Sequence, residues 1–210
     1  MNTEFTVILV PQGKEYKSVR KAIGLNKSPR IIPIPIGRAC IDFCKNIKIE
    51  EKSILLLGVA GSLSPEINIG EVVSYKNCSF WNSLSSSSSI KCSLVSKAKI
   101  HPVDALTTDQ VICKATQKSN LAQYGQIVDM ESYHILQIFK DKSVSIIRVI
   151  SDNAKSDIPD LNLAINHQGK IDPWKLIITF CKEPRASLRL IIGSLKALDK
   201  LTQITKEIFN

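Results

Sequence analysis

The chain has 210 residues, 44% of them hydrophobic, which is enough to bury one substantial core and short for two, so a single domain spanning residues 1–210 is expected. No stretch reaches the roughly 18 uninterrupted apolar residues of a spanning helix, and the start, MNTEFTVILV, carries an acid where a signal peptide would carry a basic flank. A cytoplasmic protein with no membrane role is predicted. The formal net charge of +9 raises nucleic acid as a partner, but the largest local imbalance, seven Lys or Arg against three acids from Trp174 to Asn210, falls between apolar residues at helical spacing. That is the pattern of a solvated helix face, and no nucleic-acid partner is expected.

Phe5 to Val10 reads as a strand that stops at Pro11-Gln12-Gly13, before a helix carrying Tyr16, Val19 and Ile23. Ile31 to Ile36 is held extended by Pro33 and Pro35, and Arg38 to Ile47 has helical spacing through Ala39, Ile41, Phe43 and Cys44. Ser53 to Leu57 is continuously apolar, the mark of a strand buried on both faces, and runs into the glycine-rich turn Gly58-Val59-Ala60-Gly61-Ser62. Glu71 to Tyr75, Asn77 to Trp81 and Ile90 to Val95 are further strands, with Ser85 to Ser89 a mobile loop among them. A polar helix at Thr116 to Gln123, a strand at Gln126 to Met130, a helix opening at Glu131 and a strand at Ser143 to Ile150 come next. Two helices at about residues 173–206 close the domain: Pro173 starts one, Pro184 breaks the pattern, and Leu188, Ile191, Ile192, Leu195 and Leu198 form a stripe expected to pack on the sheet. Strands alternating with helices imply an α/β fold: a three-layer α/β/α domain with a central mixed, largely parallel sheet.

The six cysteines, Cys40, Cys44, Cys78, Cys92, Cys113 and Cys181, form no CxxC pair and have no histidine at ligand spacing. Free, mostly buried thiols and no metal are expected. His101, His134 and His167 read as core or surface residues, and Phe80, Trp81 and Tyr133 serve equally as core or as pocket wall.

Ligands of open α/β sheets gather beyond the carboxyl ends of strands. Four such ends carry reactive groups: Gln12 to Glu15, Gly58 to Ser62, Val128 to Ser132, and Arg148 to Ala154. Taken singly, each has a structural explanation. Gly58 to Ser62 is a tight turn without the following Lys-Ser or Lys-Thr of a P-loop, Glu131 suits the start of its own helix, and Asp152 suits a turn cap.

Together, ILLLGVAGSLSPEINIGEVV (54–73), IVDMES (127–132) and IIRVISDNA (146–154) resemble the glycine-rich turn, the Val-Asp-Met-Glu segment and the Arg-x-Ile-Ser-Asp-x-Ala segment of the nucleoside phosphorylase and nucleosidase superfamily. The likeness is greatest to the bacterial methylthioadenosine and S-adenosylhomocysteine nucleosidases and related phosphorylase-like proteins. It implies a phosphorylase/hydrolase-like fold and a purine nucleoside as the small-molecule partner. It makes Asp152, oriented by Ser151, the general acid toward N7 of the base, kept protonated by burial. Glu131 becomes the acceptor of the ribose hydroxyls with Met130 under the sugar, Glu15 the base that activates water, and Arg148 its helper. Val111 and Ile112 fall in the base-binding segment, and Gly58, Val59, Ala60, Gly61 and Ser62 in the nucleophile or phosphate region. No cofactor is implied, apart from phosphate as co-substrate of a phosphorylase, and a homodimer or higher homo-oligomer is. Val59 stands where a small hydroxyl residue is usual and Val111 where an aromatic is. Three readings therefore stay open: a hydrolase, a phosphorylase, and a catalytically silent nucleoside-binding or scaffold protein.

Overall fold

The apolar runs that open the sequence become neighbouring strands because neither face of them can meet water. In the computed structural model, which describes residues 5–24, 29–82, 84, 86–95 and 100–209, strand β1 (Val7–Pro11) is buried along its length and lies parallel to both β2 (Arg30–Ile34) and β3 (Ser53–Ser62). Parallel neighbours need a crossover. Helix α1 (Lys14–Ile23) joins β1 to β2, and α2 (Cys40–Asn46), entered through a 3-10 turn at Gly37–Ala39, joins β2 to β3. Then come β4 (Val72–Trp81), β5 (Ile90–Lys91), β6 (His101–Thr108), α3 (Ala115–Leu121), β7 (Ile127–Asp129), α4 (Ser132–Ile138) and β8 (Ser143–Asp152). Helices α5 (Pro173–Lys182) and α6 (Pro184–Phe209) complete the chain.

The sheet runs β2-β1-β3-β7-β6-β4-β5, and β8 pairs with both β3 and β4. Strands β3, β7, β6, β4 and β8 therefore close on themselves as a ring. The β3–β7, β4–β5 and β4–β8 pairings are antiparallel and the others parallel. Alternation along the central strands sends residues to opposite faces. Val7, Leu9, Ile54, Leu56 and Ile146 join Cys40, Cys44, Ile135 and Leu136 of α2 and α4. Ile8, Val10, Leu55, Leu57, Ile147 and Val149 join Val19 and Ile23 of α1 and Ala197, Leu201 and Ile204 of α6.

Several expectations are corrected. The segment Gly58 to Ser62 is no turn: β3 continues through it, paired with β8 as far as Gly61 and with β7 at Gly61 and Ser62. The two strands expected at Glu71 to Tyr75 and Asn77 to Trp81 are one, β4, with a register shift between Tyr75 and Asn77 that breaks the side-chain alternation. The strand expected at Ile90 to Val95 shrinks to Ile90–Lys91, and β6, with Pro102 and Asp104 in its first half, was hidden by those poor strand formers. Of the serine run, Ser85 lies outside the described residues, while Ser87 folds back so that its N–H donates to the Phe80 carbonyl at 2.8 Å.

The tail also differs. Helix α5 packs mainly on the 3-10 turn Leu161–Ala164 and on α6, not on the sheet. Helix α6 does reach the sheet, but through Gly193, Ala197 and Leu201, while Leu190 packs with Cys113 and Ile158; Leu188, Ile192 and Leu195 are left more than half exposed and Ile191 at 39%. Backbone proximity decides between the two apolar faces: a Cβ added to Gly193 would stand 2.3 Å from the Ser151 carbonyl oxygen, so only the small-residue face can approach β8 so closely. Gly193→Ala is expected to destabilise the fold by about 2 kcal/mol through overpacking, read as a lower midpoint in urea denaturation, whereas Ser194→Ala, one residue on, should change it by less than about 0.5 kcal/mol.

Candidate active site

Arg148 projects from the middle of β8 with its side chain wholly buried. A buried guanidinium needs charge and hydrogen bonds around it, and Asp129, at the end of β7, supplies both: Arg148 Nη2 lies 2.9 Å from Asp129 Oδ2. Asp129 is itself saturated. Tyr75 Oη of β4 donates at 2.9 Å, Thr107 Oγ1 of β6 at 2.7 Å, and the Ser132 hydroxyl donates to the same carboxylate. The fifth ring strand, β3, contributes absence: a Cβ on Gly58 would fall 2.2 Å from Arg148 Nη1 and 2.7 Å from Glu15 Oε1. Glycine at 58 leaves the space those two groups occupy.

Glu131 and Glu15 meet on this guanidinium. Glu131 precedes α4 but makes no side-chain cap bond to it. Its carboxylate turns inward, accepting from Gly37 N–H at 2.8 Å on one oxygen and from Arg148 Nη2 at 3.2 Å on the other. Met130 packs against the same Gly37, its Cε 3.0 Å from where a Cβ would stand. Glu15, in the first turn of α1, accepts from Val59 N–H at 2.7 Å. Burial, only partly offset by Arg148, pushes the Glu15 carboxyl up to about 8. Burial likewise raises Glu131, with Arg148 opposing and Asp129 reinforcing. Burial works against the Arg148 charge, but Asp129, Tyr75, Glu131 and Glu15 outweigh it and hold the guanidinium firmly protonated. Its Nε and Nη1 hydrogens, both buried, have no acceptor among the described residues.

Asp152 ends β8, paired with Gly61 of β3 just past a register shift between Ala60 and Gly61. The extra β8 residue at the shift is Ser151, and bulges of this kind re-aim side chains. A Cβ on Gly61 would stand 3.1 Å from Asp152 Oδ2. Ser151 Oγ lies 3.0 Å from Asp152 Oδ2 and 3.2 Å from the Ala60 carbonyl. The other carboxylate oxygen, Asp152 Oδ1, is ion-paired with Lys118 of α3, whose side chain is fully buried.

The remaining candidates divide. Val111 has its N–H and carbonyl both bound to the side-chain amide of Asn162, at 2.8 and 3.0 Å, so its backbone is committed within the protein. Ile112 packs toward Leu63, Leu106, Leu121 and Val128, and Cys113 is tied to Ile158 beyond β8, so this loop lies alongside the Asp152 end of the sheet. Ser62 is buried with its hydroxyl donated to the Ser64 carbonyl at 2.7 Å, and Val59 offers its N–H to Glu15. The segment from Gly58 to Ser62 thus presents no cradle of free N–H groups. His134 stands apart against Phe80 and Asp109, and Tyr133 and Phe80 stack on each other at 5.7 Å. Among the described residues, no group of three or more His, Cys, Asp or Glu could hold a metal ion, and no helix is long and apolar enough to cross a membrane.

Neither a family sequence profile nor a curated protein matches this chain by sequence. Solved structures do match by shape. The futalosine hydrolase of Helicobacter pylori strain 26695 superposes with a TM-score of 0.70 at 15% identity, covering 97% of this chain and 96% of that one. The methylthioadenosine/S-adenosyl homocysteine nucleosidase of the same organism gives 0.69 at 15% identity over 97% and 96%, and that of Chlamydia trachomatis 0.63 at 12% over 97% and 93%. The chain shares the fold of these structures. Within that fold, sequence reasoning missed Asp129, Tyr75, Thr107, Gly37 and Lys118. Asp129 lay inside the IVDMES segment, as an acid closing an apolar strand; Lys118 sits in a polar helix with nothing local to single it out.

The Glu15 shift gives a signed prediction. A carboxyl that keeps its proton to about pH 8 when folded, but loses it near 4.5 when unfolded, adds stability fully present below pH 4.5 and lost as pH rises through 8. Across that window the loss reaches up to roughly 1.4 kcal/mol per pH unit. Glu15→Gln, which cannot ionise, should therefore be more stable than wild type at pH 8 by thermal melting, with the difference vanishing near pH 4.5.

Proposed function

We propose that this chain is a purine nucleosidase that cleaves the N-glycosidic bond of a purine nucleoside, with or without a 5′-substituent, by acid-assisted hydrolysis. The observation that carries the proposal is the gathering of Glu15 beside Gly58 and of Glu131 on Nη2 around the one guanidinium of Arg148, with Asp152 beside Gly61, three residues further along β3. Cleavage needs a cation-tolerant site for the ribosyl ring and a proton for the departing base, and those are the groups supplied.

Glu131 has spare lone pairs beyond its bonds to Gly37 and Arg148, and takes the 2′ and 3′ hydroxyls while Met130 lies under the sugar. As C1′–N9 lengthens the ring becomes cationic, and the carboxylate stabilises that state more than the ground state. Water held by Arg148 is deprotonated by Glu15, whose carboxyl at about 8 sits near operating pH, where a general base is most effective. Asp152, with Ser151, serves N7, and Ile112 with Val111 walls the base. Water is favoured over phosphate because Glu15, Asp129 and Glu131 already crowd one guanidinium, Val59 carries no hydroxyl, and the Ser62 hydroxyl is committed to Ser64. The free thiols suit a reducing cytoplasm. A homodimer or larger homo-oligomer is part of the same reading, supported by the exposed Trp174, Ile178, Leu188 and Ile192.

Purine release from adenosine, inosine and their 5′-thioalkyl derivatives should proceed at the same rate with and without phosphate; strict dependence on phosphate would make the chain a phosphorylase. Asp152→Asn should lower kcat by about 10²–10⁴-fold and Glu131→Gln by about 10²–10³-fold in the same assay. Unchanged turnover in either would remove that residue from the mechanism.

A further inference from the structure

The steps above leave one buried charge unused. Lys118 has its side chain wholly withdrawn from solvent, in a helix docked on the loop after β8: Ala115 N–H donates to Asp157 Oδ1 at 2.8 Å and Lys114 pairs with Asp157 at 3.2 Å. Lys118 Nζ donates to Asp152 Oδ1 and, at 2.8 Å, to the Asn153 carbonyl. The charged and titratable groups facing it are Asp152 from β8, Asp157 and Lys114 at the exposed rim, and the Cys113 thiol from the preceding loop. Lysine is almost never buried this far unless paired, and this one stands directly behind the carboxylate assigned to the leaving base.

Purine N7 carries a lone pair. An ionised Asp152 facing it would repel the base unless a proton arrived between them, and the residue behind Asp152 has one to give. Ammonium with carboxylate, and amine with carboxylic acid, are two arrangements of the same proton count. The Ser151 hydroxyl is placed for both: its single hydrogen can go to an anionic Asp152 Oδ2, or to the Ala60 carbonyl while Ser151 accepts from a protonated Asp152.

Resting on the nucleosidase reading, we propose that Lys118 and Asp152 act as one proton-donating dyad, in which Lys118 supplies the proton that Asp152 passes to N7 of the leaving base. As C1′–N9 breaks, its electron pair enters the imidazole ring of the purine. One proton moves from Nζ to Asp152 and one from Asp152 to N7, leaving an amine and a carboxylate. The water oxygen bonds to C1′ and one of its protons goes to Glu15; once the products have left, Glu15 releases that proton to solvent and solvent returns one to the dyad. Lys118, buried behind Asp152, is a positioning and proton-supplying residue that does not touch substrate.

The test is the pH dependence of kcat, measured on a nucleoside the wild type hydrolyses, for wild type, Lys118→Met and Lys118→Gln. With Nζ behind Asp152 to draw a proton from, wild type should hold its rate on the alkaline side, whereas Lys118→Met, which has no such donor, should fall off at lower pH. We expect at least roughly a 30-fold deficit near pH 8 that shrinks to within about threefold near pH 5, with KM unchanged. Lys118→Gln keeps a donor for Asp152 and Asn153 without a transferable proton; it should show the same displacement and serves if the methionine variant does not fold. In an Asp152→Asn background, replacing Lys118 should cost nothing further. A deficit equal at every pH, or no deficit, would overturn the dyad while leaving the nucleosidase reading intact. A wild type that releases no purine from any nucleoside would sink both.

Discussion

The ion pair between Arg148 and Asp129 sets the terms for everything at the centre of this sheet. A guanidinium with no exposure carries a desolvation cost of several kcal/mol unless its surroundings are complete, and completing them draws in β4 through Tyr75, β6 through Thr107, β7 through Asp129 and α4 through Ser132. The ring of β3, β7, β6, β4 and β8 is the backbone expression of that requirement: each strand either donates to the pair or, at Gly58, makes room for it. Because Arg148 is spent only on its Nη2 side, toward Asp129, Glu131 and Ser132, its Nη1 edge is left facing Gly58 and Glu15.

From that fixed point the chemistry divides along β3. Around the guanidinium stand Glu15, beside Gly58, and Glu131, beside Gly37, two carboxyls whose burial raises them above their ordinary values, an arrangement suited to holding water and a sugar. At Gly61 stand Asp152, Ser151 and Lys118, suited to moving a proton. Strand geometry sets the spacing: three residues at about 3.3 Å each put the two glycines roughly 10 Å apart along β3. Ser151, the extra residue at the β8 register shift, lets one strand serve both ends.

Much of this was legible in residue order. Continuous apolar runs at Val7 to Val10 and Ile54 to Leu57, and the mostly apolar Val144 to Ile150, marked central strands because both faces of each are covered, and the charged residues within or after them marked the site. Glu131 and Asp152 stood out as acids at the carboxyl ends of apolar strands. The reading failed where tertiary contact overrules local pattern. Gly58 to Ser62 looked like a turn because glycines usually mark one, yet here they keep a strand clear of Arg148 and Asp152. The stripe from Leu188 to Leu195 looked like core because it is the larger apolar face, yet the close approach of Gly193 to Ser151 selects the smaller one. Lys118 gave no sign at all, since its meaning lies in Asp152, 34 residues away in the chain.

A crystal structure with a stable nucleoside analogue carrying a cationic ring in place of ribose tests the central claim most directly. The account predicts the ring hydroxyls on Glu131, a water between Arg148, Glu15 and the anomeric position, and N7 of the base within hydrogen-bonding distance of Asp152, with the Arg148–Asp129 pair undisturbed. A ligand bound elsewhere, or one whose base points away from Asp152 while Glu131 keeps only Gly37 and Arg148 as partners, would contradict it.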